Sequence, residues 1–289
     1  MNSGFITTKR VVPKIGVHQR FDVAAYRMIA EFLPVGAFPT LKDIIHFEGY
    51  NGPDGLKIKS PGVNEPSHLY DPTTDKGDAA MHIVNHYAAL VDCLKAADMV
   101  RAAFEASWLA HYVCDGLTPA HHWPLEERLA EAAALSPASL KRGDPTKFAG
   151  TMVKVKKNWA VYGVKGHLST HFYFETGIAF ALLIFPIKPV FRDEQFIRVR
   201  ELGPLEYFKA EARDIATLKL YDRFYLEGWN SDIAASVKNK IAPQTARTIG
   251  LIWLLAMYEA GEQLVRADGH GYERDPGRVV YKKPKIKAS

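Results

Sequence analysis

Ionisable side chains recur at four-residue steps inside otherwise apolar helical runs, and no other pattern restricts the chain as strongly. In HYVCDGLTPAHH, residues 111–122, His111 and Asp115 stand four apart; in HLSTHFYFE, residues 167–175, so do His167, His171 and Glu175. Residues four apart share one helical face. The second run is flanked by Phe172, Tyr173, Phe174 and Ile178. Imidazoles and a carboxylate beside such a surface are costly to bury unless paired or bound to metal. Imidazole plus carboxylate is also the usual ligand set for zinc. A lone His-x-x-x-Asp pair reads more plainly as a helix C-terminus, where histidine suits the dipole. The second set, and His121 returning after Gly116 and Pro119, shift the balance towards metal.

The rest of the sequence is dominated by the helical period. Val17–Leu33, the segments starting at Asp75 and Asp98, His167–Phe185 and the run from Thr245 all repeat apolar residues at three- and four-residue steps. Asp75 and Asp98, which open the two segments, suit N-capping. Residues 36–74 are rich in Gly, Pro, Asn and Asp, and read as a long loop with one short helix near Leu41–His46. Pro186–Pro204 reads as a linker, followed by two or three helices over Leu205–Ala267. No internal repeat or strand pattern stands out. The expected fold is all-α. Residues 1–267 are expected to form one helical domain with an insert at about 123–166, followed by a basic, loosely ordered tail at 268–289.

Composition adds bounds. The chain has 289 residues, a formal net charge of +5 and two cysteines, Cys93 and Cys114. Two cysteines make no disulfide framework. The charge suits an anionic substrate or surface. The longest apolar run, Ile178–Ile187, is about half a membrane span. The first residues lack the apolar core of a secretory signal, so a cytoplasmic location is the expectation.

A third cluster lies in GPDGLKIKSPGVNEPSHLYDP, which carries Asp54 and His68. With it the chain resembles the zinc-dependent phospholipase C family, whose fold the fungal single-strand-specific nucleases share. The motif His-x-x-x-Asp-x-x-x-Pro-x-His is complete in His111, Asp115, Pro119 and His121. SHLYDP, residues 67–72, matches the family's Ser-His-aromatic-Tyr/Trp-Asp-Pro element, with Leu69 in the aromatic position. His171 and Glu175 match its His-x-x-x-Glu element, and His18 its N-terminal histidine. The resemblance covers roughly residues 15–185. It implies an all-α fold around two or three zinc ions. One zinc would take Asp54, His68, His111 and Asp115. A second would take His121, His171 and Glu175. A third would take His18 and Asp115, with Asp115 bridging. It also implies hydrolysis of phospholipid or similar phosphodiesters by a metal-activated water, with Asp54 as candidate general base, and peripheral membrane contact. Nucleic acid is the substrate in the alternative, nuclease reading. A third reading is a metal-binding protein without turnover. The glutamate of the last element leans towards the phospholipases, since the nucleases usually carry aspartate.

The chain departs from the family in two places. Family members begin with a tryptophan that binds the third zinc, whereas here no tryptophan precedes Trp108. Fifty positions separate His121 from His171, a longer gap than in the phospholipases, and the insert carries Lys141, Arg142, Lys147, Lys154, Lys156 and Lys157. Other residues carry plainer expectations. His82 and His86 are read as core or ligand-orienting residues, His122 as lying outside the site, and His167 as a spare ligand. Cys114, Trp108 and Tyr112 are read as packing residues. His46 and His270 have no readable role.

Overall fold

Thr245–Met257 is apolar almost all round, and a helix of that kind must be surrounded by others. The computed structural model describes residues 16–59, 68–122 and 167–261, with 274–275 and 278–279, and places this segment at the centre. The helices are α1 (Val17–Ile29), α2 (Leu41–His46), α3 (Pro53–Lys59), α4 (Ala79–Lys95), α5 (Met99–Gly116), α6 (His167–Ile184), α7 (Asp193–Ala216), α8 (Leu220–Glu227), α9 (Ser231–Ser236) and α10 (Ala242–Gly261). Helix α10 packs against α1, α4, α5 and α7. Its Trp253 is fully buried, and the indole N–H donates to the Ala106 carbonyl at 3.0 Å, tying α10 to α5.

Helices α4 and α5 form an αα-hairpin, the most extensive helix contact among the described residues. Asp98 caps α5 by accepting from the Arg101 amide. At α4 the N-cap position is Asp78, but its side chain makes no capping bond, so one of the two aspartate caps expected is absent.

The sequence expectation of an all-α fold holds for the described residues, with three local corrections. The loop expected over 36–74 contains α2 at the expected place but also α3, which begins with Pro53 at a first-turn position that tolerates its missing N–H. The linker expected to run to Pro204 ends before Asp193. Helix α7 starts there, with Asp193 and Glu194 favouring the positive end of the dipole and Phe196 and Val199 buried. Pro204 kinks α7 rather than starting a new segment. Gly203, at φ 75° and ψ 169°, breaks the backbone so that the proline ring escapes the preceding turn. Third, a two-residue antiparallel ladder joins Arg274–Asp275 to Arg278–Val279, where no strand was expected. The insert at 123–166 and the remainder of the tail lie outside the described residues. Among the described residues no helix is long and apolar enough to cross a membrane.

Two side-chain arrangements hold the helices that carry the histidines. Gly116, at the end of α5, lets α7 approach: a Cβ there would stand 2.5 Å from Phe208 Cζ. Gly116→Ala is therefore expected to destabilise the protein by about 1–3 kcal/mol through overpacking, read as a lower midpoint of denaturant unfolding. Glu105 is buried on α5, with its carboxylate 2.6 Å from His86 Nδ1 and 2.6 Å from both Arg101 Nε and Nη2. Burial pushes the Glu105 carboxyl up, but His86 and Arg101 outweigh it and hold it below its ordinary 4.5. A depressed carboxyl contributes stability above its unfolded value and loses it as pH falls through the folded one. Glu105→Gln is expected to cost about 1–2 kcal/mol at neutral pH, a figure discounted for the exposed Arg101 guanidinium. It should also flatten the fall in melting temperature below pH 4.5.

Candidate metal centre

Five elements converge on Asp115 near the end of α5. Helix α1 brings His18 in its first turn. Helix α3 brings Asp54, the extended stretch before α4 brings His68, and α5 itself brings His111 one turn before Asp115. The 3-10 turn Pro119–His122 returns His121 towards the cluster. Helix α6 then adds His171 and Glu175 on one face.

Asp115 is buried and central. Its Oδ2 lies 2.6 Å from His68 Nδ1 and 3.3 Å from His111 Nε2. Its Oδ1 lies 3.4 Å from His18 Nε2 and 3.8 Å from His121 Nε2. The two oxygens of one carboxylate thus face different pairs of imidazoles. Asp54 Oδ1 is 3.8 Å from His111 Nε2. Glu175 Oε1 lies 3.0 Å from both His121 Nε2 and His171 Nε2. Three groups have ligand atoms that all lie within 4.8 Å of one another: His18, His111 and Asp115; Asp54, His68 and His111; and His121, His171 and Glu175. All eight residues named from the sequence as metal ligands are thereby brought together, and each group could hold a metal ion.

Backbone contacts aim the donors. The Tyr70 amide donates to the His121 carbonyl at 3.1 Å, and His121 Nδ1 lies 3.2 Å from the His68 carbonyl oxygen. A carbonyl can only accept, so Nδ1 carries the proton and Nε2 is the lone-pair nitrogen facing Glu175 and Asp115. The rings of His18 and His111 stack with centroids 4.0 Å apart. His122 turns the other way: its Nε2 donates to the Gly116 carbonyl at 2.8 Å, consistent with its expected place outside the cluster. His82 and His86 stack on Tyr112, with centroids 4.3 and 5.5 Å away. The Tyr112 ring lies 5.4 Å from His68, so the pair buttresses a cluster residue through Tyr112 rather than touching the cluster. The His167 side chain is outside the described residues.

The electrostatics of the cluster are strongly perturbed. Burial raises the Asp115 carboxyl, but His121, His18 and His111 help to hold it well below the usual range. Burial likewise opposes ionisation of Asp54, yet His111 and His18 draw it down to about 2. Burial lowers His111, but Glu48 and Asp115 overcome this and raise it to about 10. His18, dominated by burial and by the charge on His111, is lowered to about 4. Ionised carboxylates packed among imidazoles form a mixed nitrogen-and-oxygen donor set that a divalent cation fits.

Access is one-sided. Asp54 is 26 % exposed, His171 16 % and Glu175 12 % by side chain, whereas the side chains of His18, His111 and Asp115 are at most 1 % exposed. Phe172 and Tyr173, beside His171 on α6, are exposed. A cleft of about 520 Å³ between α7 and α10, lined by Arg198, Glu211, Asp214, Lys240 and Arg247, includes none of the cluster residues.

Two further residues belong to the centre that the sequence reading did not name. Glu48 is 2 % exposed and Asp22 1 %, and Glu48 Oε2 lies 3.3 Å from His111 Nδ1. Asp22 stands four residues after His18, the same step that marked the other pairs, so it was legible in principle. Glu48 contacts a residue 63 positions away, and no local pattern signals that.

Comparisons with protein-family models, with curated proteins and with solved structures found no match for this chain.

Proposed function

We propose that the chain is a zinc-dependent phosphodiester hydrolase of the phospholipase C type, with a fold of that family's kind. The observation that carries the reading is Asp115: its two oxygens face separate imidazole pairs, an arrangement suited to a carboxylate shared by two metal ions. The sequence resemblance supports it, because the motif residues are the same ones that converge. Zinc bound there supplies Lewis acidity and lowers the pKa of water towards neutrality.

The chain's own residues then have separable tasks. His18, His68, His111 and Asp115 hold one end of the cluster, with little access to water. His121, His171 and Glu175 hold the other, beside the open rim. Asp54 is the most exposed carboxylate of the set and is ionised at neutral pH, so it is the group placed to take a proton from the attacking water. Water adds to phosphorus, the ester P–O bond breaks, and the leaving oxygen takes a proton, giving a phosphomonoester and an alcohol. Phe172 and Tyr173 are exposed on α6, the helix that carries His171 and Glu175, and exposed aromatic rings of this kind suit a lipid chain. The same rings could stack on bases, which is the ground for the nuclease alternative.

Metal analysis of the purified protein should find at least two zinc ions per chain. A phosphocholine diester should be hydrolysed, with single-stranded DNA the poorer substrate. Turnover of the DNA alone would replace the first reading with the second, and bound zinc without turnover of either would leave a binding protein. Asp115→Asn should lower hydrolysis by more than about 100-fold, beyond the loss typical of a residue that only supports a ligand. An unchanged rate would rule out the catalytic reading. Asp54→Asn should lower kcat with a smaller change in KM, measured at saturating and limiting diester. A chelator should lower the melting temperature as well as the activity, because a metal bound only by the native state stabilises it; equal melts with and without chelator would count against a bound ion.

A further inference from the structure

His111 presents Nε2 to the cluster, with Asp115, Asp54 and His68 Nδ1 at 3.3, 3.8 and 3.1 Å. Its other nitrogen, Nδ1, faces away, and there Glu48 Oε2 lies 3.3 Å from it. Glu48 is therefore on the far edge of the ring from the cluster. Its carboxylate is itself fixed: it caps the turn Gly49–Asn51, accepting from the Gly49 amide at 3.2 Å. Among the described residues its second oxygen, Oε1, is buried without a hydrogen-bond partner, and so is Asp22 Oδ2. Burial and the charge of Glu48 push the Asp22 carboxyl well up.

We infer that Glu48 is a positioning residue for His111, accepting its Nδ1–H and so fixing both the tautomer and the ring orientation that present Nε2 as a donor to a metal ion. This rests on the metal-centre reading above. A buried carboxylate has no apolar reason to sit behind a histidine, and this one sits where a ligand's orienting partner belongs.

The test compares wild type with Glu48→Ala and Glu48→Gln by titrating zinc against a competing chelator, with helical circular dichroism to check the fold. Glu48→Ala is expected to weaken zinc binding by about 10–100-fold. Glu48→Gln, whose amide oxygen still accepts from Nδ1–H, should recover most of that loss. A folded Glu48→Ala protein with wild-type zinc affinity would overturn the inference. If the alanine variant does not fold, Glu48→Asp serves instead: it keeps a carboxylate but withdraws it by one methylene, and equal affinity there overturns the inference too. A second readout needs no metal. In ¹H–¹⁵N spectra of chelator-treated protein, the His111 Nδ1–H signal should be protected from exchange in wild type and in Glu48→Gln, and lost in Glu48→Ala or Glu48→Asp. Equal protection in all of them would refute the role of Glu48. A wild-type protein that takes up no zinc would defeat the metal reading instead, with the Nδ1–H signal still deciding whether Glu48 holds the ring.

Discussion

A carboxylate sealed from water and ringed by four imidazoles is the interaction on which the rest of the structure depends. Removing Asp115 from water costs several kcal/mol unless opposite charge and hydrogen bonds replace its hydration. The chain supplies these from His18, His68, His111 and His121, which come from four places in the sequence. Each must be carried in by its own element, so α1, the stretch before α4, α5 and the turn after it are all committed to one point. The bundle behind them, with α10 buried among α1, α4, α5 and α7, gives those elements a rigid support. Burial of apolar surface in that bundle is what offsets the cost of gathering so many ionisable groups in one place.

The sequence made some of this legible and not the rest, for reasons that follow from distance along the chain. His111 with Asp115, and His171 with Glu175, are one helical turn apart, and the helical period alone puts each pair on a shared face. His18, Asp54 and His68 have no such local marker. His18 is named only through the resemblance to a family in which that position binds zinc; the same resemblance is what makes ligands of Asp54 and His68, which stand out in the sequence only as an acid and an imidazole in one loop. Their convergence depends on the path of the loop between α2 and α4, which no periodicity describes. Glu48 was missed for the same reason. Proline misled the reading of α7: Pro204 looked like a boundary, but a glycine at positive φ just before it turned a break into a kink. The short helix α3 was hidden by its own composition, since Gly52, Pro53 and Gly55 resemble a turn more than a helix start.

The division of the cluster into a closed side and an open side bears on what it can do. His111, Asp115 and His18 are shielded, with Glu48 and Asp22 behind them. Asp54, His171 and Glu175 face the rim. Shielded donors in a low-dielectric setting are held tightly in one geometry, which suits holding an ion. Exposed donors leave room for another molecule, which suits exchange of water and substrate. Here Asp54, His171 and Glu175 stand on the accessible side and His18, His111 and Asp115 on the sealed one.

Protons and metal ions compete for the same atoms in such a centre. His111 Nε2 is the nitrogen that a cation would use, and the neighbouring carboxylates raise its proton affinity strongly. The negative field that makes Nε2 a good base also makes it a good ligand, because both properties come from Asp115 on one side and Glu48 on the other. A cation binding there displaces a proton, so occupancy depends on pH as well as on metal concentration. The same carboxylate charge that stabilises a proton on the imidazoles would stabilise a metal ion bound in its place.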